Sequence, residues 1–155
     1  MHIIDALKET KEQTLRYFEL SSDEMKKNYG DGKWTIRQIL NHIADAETVL
    51  YDRIRRCIAE PRQVLWGFEQ DEWAKNLDYD TFPLHLNIAI YSSVREAIIY
   101  LADKFYESHG HKEFVHSRLG LRTLKQEFDK VAEHNRKHLQ QIEKALTLAP
   151  QMKTF

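Results

Sequence analysis

Residues 34–47, WTIRQILNHIADAE, and residues 132–142, AEHNRKHLQQI, decide how this chain is read. In the first, Thr35 and Gln38 form a T-x-x-Q capping box, and Trp34 ahead of it is placed to staple onto Ile39, so a helix opens at Thr35. Its apolar seam continues through Ile36, Ile39, Ile43, Leu50, Ile54 and Cys57, spaced by threes and fours, until Pro61 closes the segment. In the second stretch, His134 and His138 stack on one helix face about a turn apart. That helix opens near Thr123, where Thr123 and Gln126 repeat the box. Its stripe is Leu124, Phe128, Val131, His138, Ile142 and Ala145 or Leu146.

Two further helical segments complete the set. Residues 3–20 carry Ile4, Leu7, Leu15 and Phe18 on one stripe and end in the polar run 21–32, broken by Gly30 and Gly32. A third helix opens at Pro83, which suits a first helical turn, and runs through Ile88, Tyr91, Val94, Ile98, Leu101 and Phe105. Residues 62–82 read as a connection with a short helix around Asp71 to Leu77, and residues 107–120, ESHGHKEFVHSRLG, interrupt the pattern. Only five glycines and three prolines punctuate the 155 residues, and apolar positions recur every three or four. The expectation is an all-α four-helix bundle forming one domain over residues 1–148, with a loose tail over 149–155. Periodicity does not fix its topology, and both later connections leave room for crossovers.

Composition narrows the function. Apolar residues make up 42% of the chain, enough to fill one core without staples, so a metal is not needed for folding alone. The net charge is −1 and the Lys and Arg residues are scattered, which argues against nucleic acid as a partner. The single cysteine, Cys57, excludes an internal disulfide and a thiolate zinc cage and suits a reducing cytosol. The opening MHIIDALKETKEQ turns polar too soon for a signal peptide or anchor, and no apolar run approaches a membrane span. A soluble cytoplasmic protein is expected.

The histidines carry the chemistry. His42 borders Ile39, Ile43 and Ala46 on one capped helix, and His138 replaces an apolar residue on the seam of another, with His134 on its flank. Three buried imidazoles need partners, and one divalent cation serves all three. Asn135 follows the first histidine where a zincin protease has its glutamate base, which disfavours that chemistry. A ferritin-like di-iron site needs two E-x-x-H motifs, and the one present, Glu113 to His116, falls in an expected loop. Three neutral nitrogens leave a cation its full charge and an open position, fit to acidify water or hold a thiolate. Zinc, nickel, iron and manganese all suit imidazole. His85, His109, His111 and His116 read as solvated loop residues and His2 as part of a disordered terminus. Glu47 falls in an apolar seam, as an outer partner of the site, a base, or the ion-pair partner of Arg95. Pairing is the preferred reading. Trp66 and Trp73 are read as pinning the second connection, and Cys57 as a packed thiol.

The stretches GKWTIRQILNHIADAE (32–47) and KVAEHNRKHLQQI (130–142) resemble the DinB/YfiT-like superfamily, in particular its DinB-like branch, over nearly the whole chain. DEWAKNLDY (71–79), Arg95 within SSVREAI (92–98) and HSRLGLRTLKQ (116–126) support the likeness. The resemblance implies a four-helix bundle of up-up-down-down topology, a homodimer, and a divalent metal held at the positions of His42, His134 and His138. Family members include thiol S-transferases using bacillithiol or mycothiol, a thiol-dependent isomerase and metal-dependent hydrolases. Asn135 stands where many relatives have aspartate, so Asn135, Glu47 and Arg95 are the candidate outer partners of the metal. The expected function is a metal-dependent enzyme that activates a low-molecular-weight thiol or water against a small-molecule substrate. The alternative is a non-catalytic metal- or ligand-binding stress protein.

Overall fold

The computed structural model describes residues 2–148, so the expected tail at 149–155 lies outside the described residues. Within them the chain runs α1 (Ile3–Tyr17), α2 (Ser22–Met25), α3 (Ile36–Ala59), β1 (Val64–Leu65), α4 (Gln70–Asn76), α5 (Leu84–Phe105), β2 (Glu113–His116), β3 (Gly120–Thr123) and α6 (Leu124–Thr147). Both capping boxes close in both directions. The Thr35 hydroxyl accepts from the Gln38 N–H at 3.2 Å while the Gln38 side-chain oxygen accepts from the Thr35 N–H at 2.9 Å. Thr123 and Gln126 do the same at 3.3 and 3.0 Å. These caps fix where α3 and α6 begin, and so set the register in which their histidines face each other. His2, expected in a disordered terminus, is instead the N-cap of α1, its Nδ1 accepting from the Ile4 N–H at 3.3 Å.

The four long helices form the expected bundle, but their directions differ from the expected order. Arg53 on α3 meets Glu127 on α6 while His42 meets His134, so α3 and α6 are antiparallel. Asn41 meets Asn87 and Glu47 meets Arg95, so α3 and α5 are parallel. Thr14 meets Asn135 and Tyr17 meets Glu143, so α1 runs with α6. The topology is therefore up-down-down-up, which corrects up-up-down-down. The physical reason lies in the connections. Residues 60–83 must return the length of α3 to start a parallel helix, whereas residues 106–123 turn back locally.

That local return is a second departure from the sequence reading. Residues expected as loop form strands β2 and β3, an antiparallel hairpin turned at Gly120, whose φ of +74° is the left-handed conformation glycine tolerates. β1 adds in parallel to β2, with Leu65 opposite His116. Along β2 the side chains alternate exposed and buried, so Phe114 enters the core and His116 is also buried. Glu113 and His116, three residues apart on a strand, point to opposite faces and cannot act as an E-x-x-H pair.

A polar layer divides the apolar core. On one side pack Leu7, Leu50, Ile54, Ile98, Phe128 and Val131; on the other Phe18, Ile36, Ile39, Ile43, Tyr91 and Ile142. Between them lies Arg95, fully buried, with all five donors used. It makes a two-point ion pair with Glu47 and donates to the Leu7 carbonyl (3.0 Å), Thr10 Oγ1 (2.8 Å) and Asn135 Oδ1 (2.6 Å). Asn135 in turn donates to Thr14 and accepts from the Tyr91 hydroxyl. One guanidinium thus ties all four long helices together.

Candidate metal centre

The antiparallel register of α3 and α6 brings His42 opposite His134 and His138. The Nε2 atoms of His42 and His134 lie 3.1 Å apart, as do those of His138 and His134, and all three fall within 4.8 Å of one another. Two nitrogens bound to one cation at about 2.0–2.1 Å sit roughly 2.9–3.4 Å apart between right-angled and tetrahedral geometry, so the spacing fits a shared ion. His42 and His138 are buried and His134 is half-buried. Burial pushes the His42 imidazole down to about 3, helped by His138, and His134 to about 2, helped by His138, His42, Lys130 and Lys137. Burial also lowers His138, opposed by its bond to Gln141. All three are therefore neutral at physiological pH, with lone pairs free to donate.

The Gln141 side-chain oxygen lies 2.7 Å from His138 Nδ1 and accepts its proton, which leaves the lone pair on Nε2, facing the other two rings. The sequence reading missed Gln141. Its only signal is its place one turn after His138. His42 Nδ1 is buried without a hydrogen-bond partner. Such an orphan costs about 1–3 kcal/mol unless the ring does something that repays it, and ligation of its other nitrogen is such a role. Trp34 packs tilted over His42 at 4.9 Å between centroids and stacks toward His138 at 6.5 Å. Phe68 stacks on the same His42 at 6.0 Å and is braced by Trp73 at 4.8 Å. Trp73 and the aromatic Phe68 thus serve the site wall, while Trp66 is largely exposed and is held through its carbonyl by Arg53.

Glu47, Arg95 and Asn135 are brought together, but with one another. Asn135 neighbours His134 in sequence, yet one residue turns a helix by about 100°, so it faces α1 and α5 while the histidines face α3. Among the described residues none of the three hydrogen-bonds a triad histidine. The ion-pair reading of Glu47 is the one the geometry displays. Cys57 is buried against the Lys112 carbonyl, and burial pushes its thiol up to about 11, so it is a packed, unreactive thiol.

Two cavities reach the triad. One, of about 420 Å³, touches His134 and extends past Phe68, Arg53, Lys130 and His116. The other, of about 330 Å³, touches His134 and His138 between Trp34 and Lys137. Gln70 and Asp71, at the start of α4, border both. A buried, neutral nitrogen triad that opens onto small-molecule-sized space on one side has the anatomy of an open metal site.

Comparison with known proteins follows the same lines. A model of the DinB superfamily matches residues 6–142. A "Putative metal-dependent hydrolase" of Oceanobacillus iheyensis is 30% identical over 128 residues, spanning 83% of this chain and 73% of its own. A relative of the same description from Halalkalibacterium halodurans is 27% identical over 123 residues, spanning 79% and 71%. Among solved structures, YfiT from Bacillus subtilis, described as "a probable metal-dependent hydrolase with an unusual four-helix bundle topology", superposes with a TM-score of 0.84 at 20% identity. That match covers 92% of this chain and 83% of the other, and establishes the shared fold.

Proposed function

We propose, from the premise that this chain belongs to the DinB superfamily, that it is a metal-dependent hydrolase of small molecules whose ion is held by His42, His134 and His138. The observation that carries the reading is the meeting of three neutral Nε2 atoms, 3.1 Å apart in two pairs, at the head of a cavity. When bound, a divalent ion supplies Lewis acidity, polarising an acyl oxygen or acidifying water toward pH 7. The chain's own residues do the rest. Gln141 fixes the tautomer of His138, Trp34 and Phe68 shield the imidazoles from bulk water, and the cavity beside His134 orients the substrate. Asp71, which borders both openings, supplies a carboxylate for proton transfer at the mouth.

The same constellation serves attack by a thiol in place of water, and thiol S-transfer is the finer question within this reading. A homodimer, carried from the resemblance, and a cytoplasmic location, carried from the lone cysteine and the polar opening of the chain, belong to the proposal. No described helix is long and apolar enough to cross a membrane. The test is a panel of activated esters and amides, assayed with zinc-, nickel- or manganese-loaded protein, with and without a low-molecular-weight thiol. Turnover in water alone, abolished in His138→Ala, is the expected result. Turnover only with added thiol would replace hydrolysis by thiol transfer, and no turnover in either arm would favour the non-catalytic binding protein.

A further inference from the structure

The larger cavity has a polar end that the triad does not account for. Its wall is lined by Arg53, Lys130, Arg118 and His116, with His134 bordering the same space. The sequence pattern around His116 is that of a solvated loop, but the residue is only 4% exposed. Its Nδ1 accepts two backbone N–H groups, from Arg118 at 3.2 Å and Leu119 at 3.3 Å. Those bonds place its proton on Nε2, and among the described residues that nitrogen has no acceptor. His116 lines the cavity, so it offers there a donor with no protein acceptor.

The charges around it do not balance. Glu127 is fully buried and its Oε1 accepts from Arg53 at 3.2 Å, while its Oε2 has no partner. Lys130 lies close enough to the same carboxylate to feel its charge, and close enough to Arg53 and Arg122 to be opposed by theirs. Lys130 is half-buried and makes no hydrogen bond or ion pair among the described residues. Arg118 is held from outside by Glu69 at 2.6 Å. One buried carboxylate thus faces Arg53 and Lys130, while the two other acids that border the cavity, Glu69 and Asp71, are exposed, and Glu69 is taken by Arg118. In agreement, burial and the neighbouring Arg53, Lys130, Arg122 and Arg118 push the His116 imidazole down to about 4, which keeps it a neutral donor. Arg53 is locked by two bonds to the Trp66 carbonyl, at 3.2 and 2.9 Å, so its charge is fixed at the wall. Gly67 makes room at this place: a Cβ there would meet Arg118 Nε at 3.0 Å and His116 Cε1 at 3.2 Å.

We propose that this end of the cavity is an oxyanion subsite, in which Lys130, the His116 Nε2–H and Arg53 hold a carboxylate or phosphate group of the substrate while its reacting bond lies at the histidine triad. The proposal deepens the metal-dependent reading and rests on it for the position of the reacting bond. The anion site itself needs no metal. A compact oxyanion accepts from the His116 Nε2–H and pairs with the ammonium of Lys130 together, with charge-assisted bonds stronger than neutral ones. A cavity of about 420 Å³ is large enough to hold such a group and a short acyl portion as well.

The test is calorimetric titration of the purified protein with inorganic phosphate and with succinate at low ionic strength, with metal content measured on the same samples. One anion per chain should saturate, and should still do so in His42→Leu, which lacks a triad ligand. Lys130→Met should weaken binding at least tenfold with metal content unchanged. Gly67→Ala, which crowds His116 and Arg118 without removing a charge, should weaken it too and decides the matter if Lys130→Met does not fold. Preference for phosphate or for succinate identifies the group, and either supports the subsite. Absence of saturable binding by both anions, wild-type affinity in Lys130→Met, or binding that disappears in His42→Leu would overturn it. Because metal content is read separately, a metal-free protein that binds anion leaves this subsite standing while the catalytic reading fails.

Discussion

Replacing Arg95 by Met should destabilise the protein by about 3–5 kcal/mol, the cost of leaving a buried charge without its partner. At this chain length that corresponds to a fall in Tm of roughly 10 °C. The reason is the completeness of the network. Arg95 spends every donor inside the bundle, so its loss leaves Glu47 charged and buried, and leaves the Leu7 carbonyl, Thr10 and Asn135 each short of a bond. Glu47→Leu combined with Arg95→Met should recover part of the loss, because an apolar pair of similar volume often replaces a buried ion pair without penalty. Metal content at 25 °C should stay that of the parent in both variants. Denaturant unfolding beside elemental analysis checks this. A metal loss that accompanies Arg95→Met in folded protein would show that the layer supports the triad directly.

His42→Leu should move the other way. His42 Nδ1 is buried and unpartnered, and in the absence of a cation the ring's one polar partner is the His134 imidazole, 3.1 Å from its Nε2. Removing the orphan donor relieves about 1–3 kcal/mol, so the metal-free variant should melt at or above the temperature of the metal-free parent. Metal affinity should fall by more than about 100-fold, since loss of an outer partner alone costs 10–100-fold. Thermal denaturation in the presence of chelator, followed by zinc titration, measures both. A metal-free variant that melts well below the parent would make His42 an ordinary packing residue.

The parts of this fold that were legible from sequence are those governed by local rules. The boxes at Thr35 and Thr123 set the starts of α3 and α6 because capping involves residues three apart. The three-four spacing of the seams told which faces are buried. Helix direction was not legible, because an apolar stripe has no sign along the bundle, and a connection of given length serves a crossover or a hairpin equally well. The sheet was hidden for a related reason: Glu113–His116 alternates over only four residues, inside a stretch rich in histidine and bounded by turns. At the site, the triad could be read from residue type at a seam. Gln141, Phe68 and the role of Trp34 could not, since each acts through a neighbour brought close only by folding. The pairing of Glu47 with Arg95 was anticipated from one physical fact, that a carboxylate in an apolar seam needs a cation.

The measurement that bears most directly on the central claim is the metal content of freshly purified protein by elemental mass spectrometry, beside a variant with His134→Ala and His138→Ala. About one transition metal per chain in the parent and none in the variant, with both proteins folded, is the expected result. No metal in the parent, even after reconstitution with zinc or nickel, would contradict it and leave a helical bundle with three buried histidines.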